Sequence, residues 1–295
     1  MGSPATREAR PATVGDRLRR AAARLREVGL RSPRLEAEVL AANLLDCSRA
    51  GLLSRWDETA PPDLVAALEG AVSRRIAGEP LQYIVGRAGF RSLQFHVDRR
   101  VLIPRPETEL LVETCLARVR AARPAIVDVG TGSGCVVVAV ARERPDARLT
   151  AVDIDPGALA VARDNAARLV PDVRIRWLRG DLLEPLREGA LLDAIVSNPP
   201  YVAAGEIGAL QPEVRDHEPR GALVAGETGL EVVDRLIPAA AGRLRDGGRL
   251  LLEIGAGQWR PVRERLRSAR DWEEPEVRED FQGIPRVVCA ARRPR

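Results

Sequence analysis

Residues 125–134 read Ala125-Ile126-Val127-Asp128-Val129-Gly130-Thr131-Gly132-Ser133-Gly134. The first five form a short apolar run rich in β-branched residues, which predicts a strand buried on both faces. The glycines that follow let the chain turn sharply and let its backbone approach a ligand closely. From Cys135 to Arg142 the sequence predicts a helix. Strand, glycine turn and helix together open a βαβ unit. The spacing departs from G-x-G-x-x-G, which weakens a dinucleotide reading.

The alternation continues towards the C-terminus. Strands are predicted at Arg148–Val152, Val173–Trp177, Leu192–Val196 and Arg249–Ile254, with a helix from Pro156 through Ala167. Val277–Phe281 and Arg286–Ala291 predict a closing antiparallel pair. Such a pattern predicts an α/β fold, a doubly wound parallel sheet with right-handed crossovers. Towards the N-terminus the period changes. Val14, Leu18, Ala21, Ala22 and Leu25 recur at helical spacing, and Ser32-Pro33 and Pro61-Pro62-Asp63 each open a further helix. Residues 1 to about 12 are expected to fray. Glu79–Gly86 and Phe90–Val97 alternate like the strands of a hairpin. The expected organisation is a helical domain over 1–78, a hairpin linker over 79–108 and the α/β domain over 109–295.

Leu192-Asp193-Ala194-Ile195-Val196 runs into Ser197-Asn198-Pro199-Pro200-Tyr201. Proline has no N–H for a ladder and fixes its own φ, and the first Pro excludes Asn198 from the helical region. The strand therefore ends in a stiff elbow, at the sheet end where open α/β folds bind ligands. The Asn198 side-chain carbonyl, the Pro199 main-chain carbonyl and the Tyr201 ring suit a planar –NH2 group held and stacked there. Three acids are predicted at neighbouring strand ends. Asp153 suits the hydroxyls of a ribose, Asp181 the amino group of an adenine with Leu182 over the ring, and Asp128 an ammonium group. This set fits S-adenosylmethionine better than a dinucleotide, whose pyrophosphate favours the G-x-G-x-x-G turn.

Composition narrows the alternatives. All 46 basic residues are Arg and net charge is only +4, which permits a nucleic-acid partner without demanding one. Four scattered Cys and two isolated His offer no clustered metal ligands. Free thiols suit a reducing cytoplasm, and no apolar stretch predicts export or membrane spanning. Residues 202–219 predict a long loop bordering the substrate entrance, with Arg215 and Arg220 as candidates for partner contact.

Asp128-x-Gly-x-Gly-x-Gly with Asn198-Pro199-Pro200-Tyr201 resembles the amino-methylating class I methyltransferases. Four further stretches resemble the HemK/PrmC family of protein-(glutamine-N5) methyltransferases. They are Gly78–Gly86, Leu102–Glu109, Glu218-Pro219-x-x-Ala222-Leu223 with Gly226-x-x-Gly229-Leu230, and Leu252–Gly255. The resemblance implies a five-helix N-terminal domain, a β-hairpin linker and a class I S-adenosylmethionine-dependent methyltransferase domain with a mostly parallel seven-stranded sheet. It implies methylation of the glutamine in the Gly-Gly-Gln motif of class 1 peptide chain release factors, in the cytoplasm, with S-adenosylhomocysteine as product. Cofactor roles pass to Asp128, Gly130, Thr131, Gly132, Ser133, Gly134, Asp153, Asp181, Leu182 and Asn198. Substrate roles pass to Asn198, Pro199, Pro200 and Tyr201, with Asn198, Pro199 and Tyr201 catalytic. Some family members carry an aromatic residue where this chain has Leu182. A ribosomal-protein glutamine or adenine N6 of nucleic acid remains an alternative acceptor for the same elbow, although direct nucleic-acid binding is not expected without a basic recognition domain. A cofactor-binding scaffold that only docks on translation factors is a third reading.

Overall fold

The computed structural model describes residues 11–189 and 191–294. It contains two compact units, one ending at Val85 and one beginning at Gly86.

The first unit is helical: α1 (Val14–Glu27), α2 (Pro33–Leu44), α3 (Arg49–Ser54), α4 (Pro62–Ile76) and α5 (Leu81–Val85). Helix α1 starts on a capping box, in which Thr13 and Asp16 satisfy one another's backbone N–H groups. Its apolar stripe packs with α2 and α4 around Leu18, Leu25, Leu40 and Leu68. Most of the predicted frayed start lies outside the described residues. Ala12 is tied down, its carbonyl accepting from Ala60 N–H at 3.0 Å. The strand predicted over Glu79–Gly86 is instead α5. Leu81, Ile84 and Val85 lie at helical spacing and pack on the helical core, so the 3.6 period overrides the apparent alternation.

The second unit opens with the hairpin β1 (Arg87–Phe90) and β2 (Leu93–His96). Then follow α6 (Pro106–Arg118), β3 (Ala125–Val129), α7 (Cys135–Glu143), β4 (Arg148–Asp153), α8 (Pro156–Leu169), β5 (Ile175–Arg179) and β6 (Leu192–Ser197). The predicted loop 202–219 carries structure of its own: a short strand β7 (Val202–Ala203), a 3-10 helix (Ala204–Ala209) and α9 (Pro212–His217). The chain closes with α10 (Arg220–Leu223), β8 (Val224–Gly226), α11 (Glu231–Ala241), β9 (Leu244–Glu253), α12 (Trp259–Ser268), β10 (Glu276–Glu279) and β11 (Pro285–Ala291).

The seven-stranded sheet has the order β10-β11-β9-β6-β3-β4-β5. Strands β9, β6, β3, β4 and β5 are parallel, and β11 runs antiparallel to both β9 and β10. The central strands β3 and β6 are buried at every residue, as a parallel strand covered on both faces must be. Val127, Val129, Ile195, Leu250 and Leu252 pack against Leu236 and Ile237 of α11 and Val262 and Leu266 of α12. Helices α6, α7 and α8 pack on the other face. From β3 the chain winds outward through β4 to β5, then returns to lay β6 on the other side of β3. The order reverses between β3 and β6, and the crevice outside the carboxyl ends of strands at such a point is the usual ligand site.

Candidate active site

A cavity of about 440 Å³ opens at that reversal, within the size range of small-molecule sites. Its floor is the turn after β3. Gly132 has φ +54° and Gly134 φ +80°, a region side chains rarely adopt. At Gly134 space is short as well, because an added Cβ would lie 3.1 Å from Ala162 Cβ on α8. The turn is held to β4, with Gly130 and Thr131 N–H donating to the Val152 carbonyl at 2.9 and 3.0 Å. Buried Asn165 of α8 donates to the Ser133 carbonyl at 3.0 Å and pairs with the backbone of His96.

Asp128 sits beneath this turn, 3% exposed. It accepts from Thr131 Oγ1 at 2.6 Å. Burial pushes its carboxyl up to about 7, and the nearby charge of Asp153 adds to the shift. Asp153 accepts from Gly132 N–H at 2.9 Å and Asp155 N–H at 3.0 Å. Burial raises its carboxyl too, against the pull of those N–H groups. Two buried acids whose charged forms are disfavoured by desolvation suit a ligand that brings positive charge. Val129, Val152, Ile154 and Leu182 give the cavity apolar walls.

Asp181 and Leu182 follow β5, whose observed end is two residues later than the sequence predicts. Leu182 turns through φ +47°. Asp181 is bonded to Arg235 of α11 at 2.5 Å, and both line the cavity. Arg235 was not legible as a site residue, because nothing in the sequence links α11 to the end of β5.

The elbow forms the opposite wall. Asn198, Pro199 and Pro200 line the cavity. Asn198 Nδ2 donates to Thr108 Oγ1 at 3.1 Å. Tyr201 is not among the lining residues. Its ring lies against Gly255, its carbonyl accepts from Gln258 Nε2 at 3.0 Å, and burial raises its phenol. Gln258 also donates to the Gly229 carbonyl and accepts from Gly255 N–H, so one amide ties three loops behind the elbow.

Residues 100–108 wall the remaining side, through Val101, Leu102, Pro104, Arg105 and Thr108 among others. Buried Glu218 fastens this strap, accepting from Ile103 N–H at 3.2 Å and from the Arg105 guanidinium at 2.5 Å. The next residues, Pro219, Gly221 and Ala222, line the cavity as well. Helix α6 begins at Pro106, with Arg105 as its N-cap. Thr108, in the first turn of this helix, lines the cavity.

Of the sequence-predicted residues, Asp128, Gly130, Thr131, Gly132, Ser133, Asp153, Asp181, Leu182, Asn198, Pro199 and Pro200 meet around this one cavity. Gly134 lies behind it, against α8. Among the described residues no group of three or more His, Cys, Asp or Glu could hold a metal ion, and no helix is long and apolar enough to cross a membrane.

Comparison with known proteins covers both units. The family model for the PrmC N-terminal domain matches residues 16–86, and that for the methyltransferase small domain matches residues 106–211. A release factor glutamine methyltransferase of Koribacter versatilis is 45% identical over 258 residues, 87% of this chain and 90% of that protein. One of Moorella thermoacetica is 43% identical over 282 residues, 95% of this chain and 99% of that protein. Among solved structures, a 16S rRNA N2 G1207 methyltransferase of T. thermophilus, in complex with AdoMet and guanosine, superposes with a TM-score of 0.51 at 21% identity. It covers 70% of this chain and 50% of that one, a likeness of fold.

Proposed function

The chain belongs to the family of release factor glutamine methyltransferases, and from that premise we infer that it transfers a methyl group from S-adenosylmethionine to the side-chain amide nitrogen of a release factor glutamine, the one in the Gly-Gly-Gln motif. The observation that carries this reading is the meeting of Asn198 with Asp128, Asp153 and Asp181 around one cavity.

The residues present fit the cofactor. In this reading Asp153 takes the ribose hydroxyls, Asp128 balances the charge of the amino-acid tail, and Leu182 covers the adenine, all three lining the cavity. Asp181 serves the adenine amino group with Arg235 holding the carboxylate in place. Bound there, S-adenosylmethionine supplies an electrophilic methyl group on a sulfonium.

The elbow has the harder task, because the lone pair of an amide nitrogen is delocalised into its carbonyl. With Nδ2 engaged by Thr108, Asn198 has Oδ1 free to accept one N–H of the substrate amide. The Pro199 carbonyl accepts the other. Two acceptors on a backbone stiffened by consecutive prolines fix the nitrogen and its orientation. Positioning of this kind contributes up to roughly 7–11 kcal/mol towards the barrier. Both acceptors also stabilise the positive charge that develops on nitrogen. The proton released after methylation passes to solvent, so no general base is required. Tyr201, packed behind the elbow, stiffens it from outside the cavity lining.

Incubation with methyl-labelled cofactor and a class 1 release factor tests this. Label is expected on the intact factor and absent when its Gly-Gly-Gln glutamine is replaced by alanine. Label on the alanine variant would overturn the assignment.

A further inference from the structure

The elbow is stiff within itself, yet stiffness does not decide where it points. Each proline fixes its own φ, and Pro200 restrains the residue before it, so Asn198-Pro199-Pro200 moves as one piece. Its near end is anchored. Ser197 Oγ donates to the Val129 carbonyl at 2.8 Å and ties the end of β6 to β3. Proline has no N–H, so neither Pro199 nor Pro200 can be fastened as a donor. A rigid piece held at one end swings, and the Pro199 carbonyl swings with it.

The far end is held by Gln258, the N-cap residue of α12. Its Nε2 donates to the Tyr201 carbonyl at 3.0 Å and to the Gly229 carbonyl at 3.0 Å, and its Oε1 accepts from Gly255 N–H at 2.9 Å. The partners settle which way this amide faces, because two carbonyls can only accept and an N–H can only donate. Helix α12 is itself fixed on the sheet by buried Val262 and Leu266. Two glycines leave room for the arrangement. A Cβ on Gly229 would lie 2.6 Å from the Tyr201 carbonyl oxygen, and one on Gly255 would lie 3.1 Å from Gln258 Oε1 and from the Tyr201 ring. Gly226-x-x-Gly229-Leu230 and Leu252–Gly255 thereby gain a physical reason. Gln258, Gly229 and Gly255 do not line the cavity, so they reach the chemistry only through the elbow.

We propose that Gln258 is a positioning residue for methyl transfer, a role that rests on the amide-clamp reading above: by pinning the Tyr201 carbonyl it fixes the direction of the proline elbow, and with it the acceptors of Asn198 and Pro199.

The test is single-turnover methylation of a class 1 release factor at saturating cofactor, with calorimetric binding of S-adenosylhomocysteine and the melting temperature measured alongside. Q258E keeps the size of the side chain but has no proton to donate, so it repels both carbonyls. It is expected to slow methyl transfer roughly 10- to 100-fold, the effect of a small misplacement of reacting groups, with S-adenosylhomocysteine affinity unchanged. Q258L removes the same bonds without adding charge, and is read in its place if Q258E does not fold. Asn198→Ala combined with the Gln258 variant should be slower than Asn198→Ala alone by no more than roughly 2-fold, because a misplaced elbow that has lost its acceptor has little more to lose. A normal rate in the Gln258 variant beside an impaired Asn198→Ala overturns the pin and leaves the clamp standing. Losses that multiply in the double variant, cofactor affinity that falls with the rate, or failure of both Gln258 variants to fold make Gln258 a structural residue and also overturn it. A wild-type rate in Asn198→Ala overturns the clamp itself.

Discussion

The ends of β3 and β6 lie side by side and do opposite things with their backbones. After β3 the chain is freed by glycine and takes left-handed turns, with its N–H groups tied to β4 and the Asp128 and Asp153 carboxyls facing the cavity. After β6 it is stiffened by two prolines and offers acceptors in one fixed arrangement. The first design suits binding, where a pliant loop wraps a large ligand. The second suits reaction, where two atoms must be held in line. Two buried carboxyls are raised to about 7, Asp128 within β3 and Glu253 at the end of β9, the strand beside β6. Asp128 accepts from Thr131 Oγ1, whereas Glu253 keeps Oε2 without a hydrogen-bond partner among the described residues.

This contrast breaks most readily at Asn198. Asn198→Ala removes a transition-state acceptor and is expected to lower kcat by roughly 10²-fold or more, with S-adenosylhomocysteine affinity unchanged. Weakened cofactor binding with normal kcat would reverse the roles of the two ends. Asp153→Ala should do the opposite. Loss of a charged hydrogen-bond acceptor is expected to weaken S-adenosylhomocysteine roughly 10-fold or more by calorimetry, while kcat at saturating cofactor falls much less.

The smallest effect is on stability. Asp128 and Glu253 titrate near 7 when folded and near their ordinary lower values when unfolded. Between those values the native state holds more protons than the unfolded chain. Their contribution is therefore present in full at low pH and lost as pH rises through about 7. The melting temperature of the ligand-free protein should fall by a few degrees between about pH 5 and pH 8. Asp128→Asn should flatten the fall, and an unchanged slope in that variant would remove Asp128 as its source.

Legibility from sequence followed the same divide. The glycine turn, the acids at three strand ends and the proline elbow are local signals, each carried by a few adjacent residues. The helix α5 was misread because five residues with Leu81, Ile84 and Val85 fit both periods until their packing partners are known. Thr108, Gln258 and Arg235 could not be assigned. Thr108 meets Asn198 across 90 positions, Gln258 meets Tyr201 across 57, and Arg235 meets Asp181 across 54. Glu253 lay in a recognised stretch, yet its stretch could not say what it touches.

Neighbouring residues alone specified the alternation of strands and helices, the fold, the acids near three strand ends and the proline elbow, because backbone freedom and hydrophobic period are properties of adjacent residues. Tertiary structure alone decided which way the Asn198 amide faces and where the Tyr201 ring goes. Those depend on α6 starting where the strap ends and on a loop amide from Gln258. Such contacts are set by the order of strands in the sheet, and that order is a property of the packed core.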